Sequence, residues 1–164
     1  MVPERFESSI LEYREICLDD SECIVQWRST PSVYKYFQRS EPLSLEDHLS
    51  WYNQHYLNDS TRIDYMILHK VDRIPIGIVT VSDLQKLSMQ VGYLVGAVNY
   101  QRQGYATEAI NALIREYQHK GVSSFYAEIH RDNEASIKTI EKCGFVYEKH
   151  IDALFLHYNK ITTV

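Results

Sequence analysis

The sequence has 164 residues, a length at which one compact domain can enclose a full hydrophobic core. Its 45% apolar and 24% charged residues are the balance of a globular chain and exclude a disordered one. Lysine and arginine total 17 against 22 aspartates and glutamates, and the resulting net charge of -5 argues against a protein that tracks nucleic-acid phosphates.

In chain order, Met1-Val2-Pro3-Glu4-Arg5-Phe6 shows no apolar signal core, and no later apolar run approaches membrane-spanning length. Residues 13–18 alternate as a first strand. Asp19-Asp20-Ser21 then reads as a helix entry, because short polar side chains accept from the free N–H groups there. That helix carries Ile24, Trp27 and Arg28 before Pro31. Ser44 followed by Asp47 resembles a capping box. The helix it opens sets Leu45, Leu49, Tyr52 and Tyr56 on one stripe and His48, Trp51 and His55 on a neighbouring one. Residues 63–70 and 74–82 read as a hairpin around Val71-Asp72-Arg73. Residues 90–98 form a further strand, where Gly92 and Gly96 signal a bulge or a close backbone approach.

The clearest helix follows. Ala106, Ala109, Ile110, Leu113, Ile114 and Tyr117 recur at helical spacing, and Lys120-Gly121 supplies a stop. Residues 125–130 alternate as a strand, and a helix runs from Asn133 to about Cys143 before Gly144. Two last strands are expected near residues 145–149 and 153–160. No repeat, low-complexity tract or linker divides the chain, so residues 1–164 read as one domain with a mixed sheet and helices on both faces. Cys17, Cys23 and Cys143 are odd in number and lack a C-x-x-C spacing, which argues against a disulfide framework or a metal cluster and for a reducing cytoplasm.

The chemistry-bearing segment is Gln101-Arg102-Gln103-Gly104-Tyr105-Ala106-Thr107-Glu108-Ala109, between a strand and the strongest helix. The first N–H groups of a helix have no internal partner and its dipole adds partial positive charge, so small residues at the turn make a cradle for a diphosphate. An ordinary strand-to-helix turn would read the same way. No Gly-Lys-Ser/Thr follows, and G-x-G-x-x-G is absent, so neither a P-loop nor a Rossmann fingerprint is present.

Gln101-x-x-Gly104-x-Ala106 instead resembles the acetyl-CoA motif of the GNAT family of N-acetyltransferases. Asn133-Glu134-Ala135-Ser136 opening a helix that closes on Cys143-Gly144-Phe145, and Trp27-Arg28, Val33 and His48-x-x-Trp51-Tyr52, extend the resemblance over nearly the whole chain. They are similar to the branch of ribosomal-protein N-terminal acetyltransferases of the RimJ/RimL kind, with aminoglycoside and nucleotide-amino-sugar acetyltransferases. The resemblance implies a mixed α/β (α+β) GNAT fold, a mostly antiparallel sheet of six to seven strands splayed at the acetyl-CoA site. It implies that backbone near Ala97 and Val98 pairs with pantetheine, and that the amides of Gln103, Gly104, Tyr105, Ala106 and Thr107 hold the diphosphate. Asn133 would hydrogen-bond the pantetheine, or serve as a plain helix cap, and Ser136 would sit near the sulfur.

Two positions depart from the family pattern. Ile140 stands where many members have a tyrosine that protonates the departing thiolate, which leaves Ser136 as the candidate substitute. Gln90 stands where a glutamate is common, so the candidate bases are Asp83, Glu128 and His130. Trp27, Arg28, His48, Trp51 and Tyr52 belong to the helices that would cover the acceptor cleft, or pack the core. The expected reaction is transfer from acetyl-CoA to a small-molecule or peptide amine by direct attack, without metal, membrane or nucleic acid. A non-catalytic CoA-binding or interaction module is the alternative, and a homodimer is left open.

Overall fold

β-Branched and aromatic residues at alternate positions build a sheet of eight strands among the residues described, 5–163, of a computed structural model. The strands are β1 (Arg5–Glu7), β2 (Leu11–Glu15), β3 (Arg62–His69), β4 (Ile74–Ser82), β5 (Met89–Val95), β6 (Ser124–His130), β7 (Val146–His150) and β8 (Phe155–Ile161). Their order is β1-β2-β3-β4-β5-β6-β8-β7, and β5 with β6 is the parallel pair in an otherwise antiparallel sheet. Residues 1–4, most of the segment without a signal core, lie outside the described residues, as does Val164.

The helices are α1 (Ser21–Arg28), α2 (Pro31–Tyr34), α3 (Leu45–Gln54), α4 (Tyr105–His119) and α5 (Glu134–Lys142). One core joins α4 and α5 to the sheet through Ile110, Leu113, Val79, Val91, Phe125 and Ile140. A second core, on α1 and α3, gathers Ile24, Trp27, Tyr52, Met66 and Ile78. Helices thus cover both faces of a mixed α/β sheet, as expected. The strand beyond the expected count is β1, whose three residues bury Phe6 alone and are too short to show a period. The first long strand ends at Glu15 because residues 18–20 tighten into a 3₁₀ turn. Asp20 fixes that turn, accepting from Cys17 N–H and from both Arg14 Nη atoms at 2.8 Å each.

One irregularity positions the site. β5 and β6 pair only at Met89 with Phe125 and Gln90 with Tyr126, although β5 continues to Val95 and β6 to His130. β5 stays with β4 instead. At Gly77 an added Cβ would lie 2.2 Å from the Leu94 carbonyl oxygen, so only glycine allows the two strands this approach. The N–H groups of Gly96 and Ala97 both donate to the Ile76 carbonyl, a bulge that turns the end of β5. The result is a wedge between the two parallel strands.

Candidate active site

The loop end of the wedge is closed by the start of α4. Gly104 caps that helix at φ 84° and offers no side chain to its first amides. The N–H groups of Tyr105, Ala106 and Thr107 therefore belong to the first turn, and the ladder begins with Glu108 N–H on Gly104 O at 3.0 Å. An added Cβ at Gly104 would meet nothing within 4 Å, so its left-handed backbone, not crowding, requires glycine. The turn is fixed by Gln101 Nε2 on Val95 O at 2.9 Å and Gln103 Nε2 on Asn99 O at 2.5 Å. Tyr105 adds a hydroxyl contact to His69 Nε2 at 3.2 Å. Ala97 N–H is already used by Ile76, and Val98 opens a 3₁₀ turn, so the edge of β5 without a ladder partner in β6 is the earlier stretch, residues 91–95.

The other flank of the wedge is the start of α5. Asn133 is a helix cap, its Oδ1 accepting from Ser136 N–H at 3.2 Å, which leaves its amide nitrogen to serve another group. Ser136 meets Tyr93, which the sequence reading did not single out. The Tyr93 hydroxyl donates to Ser136 O at 2.9 Å and lies 2.5 Å from Ser136 Oγ. Burial pushes the Tyr93 phenol well above its ordinary value, with the Ser136 hydrogen bond opposing. Ile140 is fully buried in the main core. Burial also pushes the Cys143 thiol up to about 11, with Lys160 opposing, so it is no nucleophile at neutral pH.

On the face opposite α4 the wedge opens into a cavity of about 610 Å³ lined by Arg28, His48, Trp51, Gln90, Tyr93 and Glu128, among others. Arg28, His48, Trp51 and Glu128, four of the candidate residues, thus line one cavity. Arg62, Asp64 and Arg39 also line the cavity, and sequence pattern gave no signal for them. Trp27 does not line it. It is buried against the end of β5, where an added Cβ on Gly96 would fall 2.1 Å from its ring. Asp83 turns elsewhere, accepting from the Tyr126 hydroxyl and pairing with Lys86 at 3.1 Å beside a separate hollow. His130 packs its ring 5.4 Å from both Tyr36 and Phe155.

The profile of the acetyltransferase (GNAT) domain matches residues 11–146. The chain belongs to this family of acetyltransferases. It is 30% identical over 142 residues to the protein MJ1062 of Methanocaldococcus jannaschii, covering 85% of this chain but only 28% of that protein's length. A domain solved from Methanocaldococcus jannaschii DSM 2661 superposes with a TM-score of 0.84 at 27% identity, covering 94% of this chain and 99% of that one. RimL, a ribosomal L7/L12 alpha-N-protein acetyltransferase solved with coenzyme A, gives a TM-score of 0.82 at 18% identity, covering 97% of this chain and 98% of that one. In this GNAT chain no helix among the described residues is long and apolar enough to cross a membrane.

Proposed function

We propose that this chain is an acetyl-CoA-dependent N-acetyltransferase that acts on a primary amine by direct attack in a ternary complex. The observation that carries the reading is the wedge, which runs from the uncapped amides of α4 to a cavity holding a carboxylate. In this reading the pantetheine lies along residues 91–95 of β5, and its diphosphate rests on the amides of Gln103, Gly104, Tyr105, Ala106 and Thr107. The Asn133 amide nitrogen faces the same arm. The acceptor enters from the cavity.

Attack forms the N–C bond, breaks the C–S bond and sends the thioester electron pair out on sulfur. The nitrogen's surplus proton must leave, and Glu128 is the carboxylate of the cavity placed on β6 to take it. Asp83 is already engaged by Tyr126 and Lys86. A lysine-like amine with pKa ~10.4 costs roughly 4.6 kcal/mol to deprotonate at pH 7, and an α-amine near ~7.8 about 1, so a single base serves the second more easily. A thiol with pKa about 8.5, by analogy with cysteine, departs tolerably as thiolate. Tyr93, held above its ordinary value, is a poor full proton donor to such a sulfur. Its role in this mechanism is to turn its hydrogen onto Ser136 Oγ and free the serine hydroxyl to hydrogen-bond the departing sulfur.

Thiol release against a panel of amines, with calorimetry of acetyl-CoA binding, tests the reading. Release with at least one amine, and acetyl-CoA binding weakened about tenfold or more in Gly104→Glu, is the expected result. Acetyl-CoA binding without release on any amine would favour the non-catalytic module, and no binding at all would reject both.

A further inference from the structure

Arg28 and His48 line the cavity, and each carries a buried polar atom, Arg28 Nε and His48 Nε2, without a hydrogen-bond partner among the described residues. Buried polar groups are almost always paired, so two unpaired ones on side chains that line one cavity point to a polar partner supplied by a ligand. His48 is only 3% exposed, on α3, and Arg28 ends α1 with its guanidinium 4.8 Å from the centre of the Phe37 ring. Asp64 is the acid that acts on both, but Arg62 takes its two oxygens at 2.8 and 3.0 Å. Arg39, also in the lining, is engaged by Glu41. Arg28 is thus a half-buried cation, and Asp64, the acid whose charge favours it, is hydrogen-bonded by Arg62. Burial, with the charge of Arg62, holds it below the ordinary guanidinium range, where it still keeps its proton. Burial and Arg28 together lower His48, so its ring is neutral at pH 7 and can donate from Nε2.

We infer that the acceptor is an amine that also carries an anionic oxygen group, phosphate or carboxylate, bound by Arg28 and His48. This rests on the reading above that the cavity admits the acceptor. The anion end lies with Arg62 and Asp64 on β3, and the amine end with Glu128 on β6, three strands along in the sheet order. Three regular spacings of about 4.8 Å, widened where β5 and β6 part, put the two strand backbones at least about 14 Å apart, and side chains reach inward from both. With side chains bridging part of that gap, a simple α-amino acid, whose charges are adjacent, fits it less well than an amine joined to its anion through a sugar-sized spacer. A polyamine would set further cations against an uncompensated guanidinium.

Matched acceptors test this: glucosamine 6-phosphate against glucosamine, 6-aminohexanoate against 6-aminohexanamide, and spermidine, each by thiol release. The expected result is that at least one anionic member exceeds its neutral partner by about tenfold or more in kcat/KM, and the pair that responds separates phosphate from carboxylate. Arg28→Gln is expected to bring that pair within about twofold, and Arg28→Lys to restore part of the preference through charge without the planar fork. Melting curves and acetyl-CoA calorimetry establish that both variants fold. In parallel, inorganic pyrophosphate titrated into CoA-saturated protein should bind, and bind about tenfold more weakly in Arg28→Gln. Equal turnover within both pairs, preference for spermidine, or pyrophosphate binding that is absent or unchanged in Arg28→Gln overturns the inference. Pyrophosphate binding at Arg28 without thiol release from any amine overturns the transferase reading alone.

Discussion

In the proposed mechanism Glu128 and Tyr93 approach one reaction from two strands that part just beyond Gln90 and Tyr126. Glu128→Gln keeps the shape of the side chain and removes the base. Its kcat/KM is expected to fall by roughly 10²–10⁴ at neutral pH, with acetyl-CoA affinity unchanged within about twofold, measured by thiol release and calorimetry. Tyr93→Phe breaks the contact with Ser136 while the ring still fills its place. The expected effect is a loss of about tenfold in kcat, with KM for acetyl-CoA little moved, and about 1 kcal/mol of stability lost to the missing hydrogen bond. Glu128 could be found in the sequence because strand alternation sets it on the face opposite Phe125, Ala127 and Ile129. Tyr93 could not. It sits on a strand among apolar residues, and only its distance to Ser136, 43 positions along the chain, reveals a polar partner.

At the level of elements, α1 is held to the sheet at both ends. At its start the Arg14–Asp20 pair ties β2 to the entry turn. Burial alone would raise the Asp20 carboxyl, but the hydrogen bonds from Arg14 and Cys17 outweigh it, and the net direction is down. A depressed carboxylate stabilises the fold above its unfolded value of about 3.9 and loses that contribution as pH falls through the folded value. Asp20→Asn is therefore expected to cost about 1–3 kcal/mol at pH 7, with the gap to wild type closing below about pH 4 in denaturant titrations. At its other end, Trp27 occupies the space that a side chain at Gly96 would need. Gly96→Ala is expected to overpack this contact by about 1–3 kcal/mol, read as a lowered Tm. The sequence offered Gly96 as a bulge or a close approach and Trp27 as a cleft or core residue. The structure joins the two alternatives, because the close neighbour of Gly96 is Trp27. The helices themselves were legible from caps and spacing, as with Ser44 Oγ accepting from Asp47 N–H at 3.0 Å. The registers that bring β3 and β6 under one cavity depend on pairing between distant segments, which no local pattern carries.

Across the whole molecule, the sheet is continuous except where β5 and β6 share two residue pairs. A ligand lying in that wedge touches both halves. At a concentration of 100 times Kd, acetyl-CoA is expected to stabilise the chain by about 2.7 kcal/mol. For a chain of this size that raises Tm by roughly 5–11 °C in a melting scan. Hydrogen exchange should slow along residues 91–95 of β5 and at the start of α4 but little in β1 and β2, if the arm pairs as proposed. The same seam gives the chain a natural place to be divided. Gly121, exposed and at φ 91°, follows α4 on one side and precedes β6 on the other. Fragments 1–121 and 122–164 would meet through the shared core and those two strand pairs, with the thioester carrier bridging both torn edges. Such halves would work as a conditional reporter, reassembling in proportion to the acetyl-CoA around them.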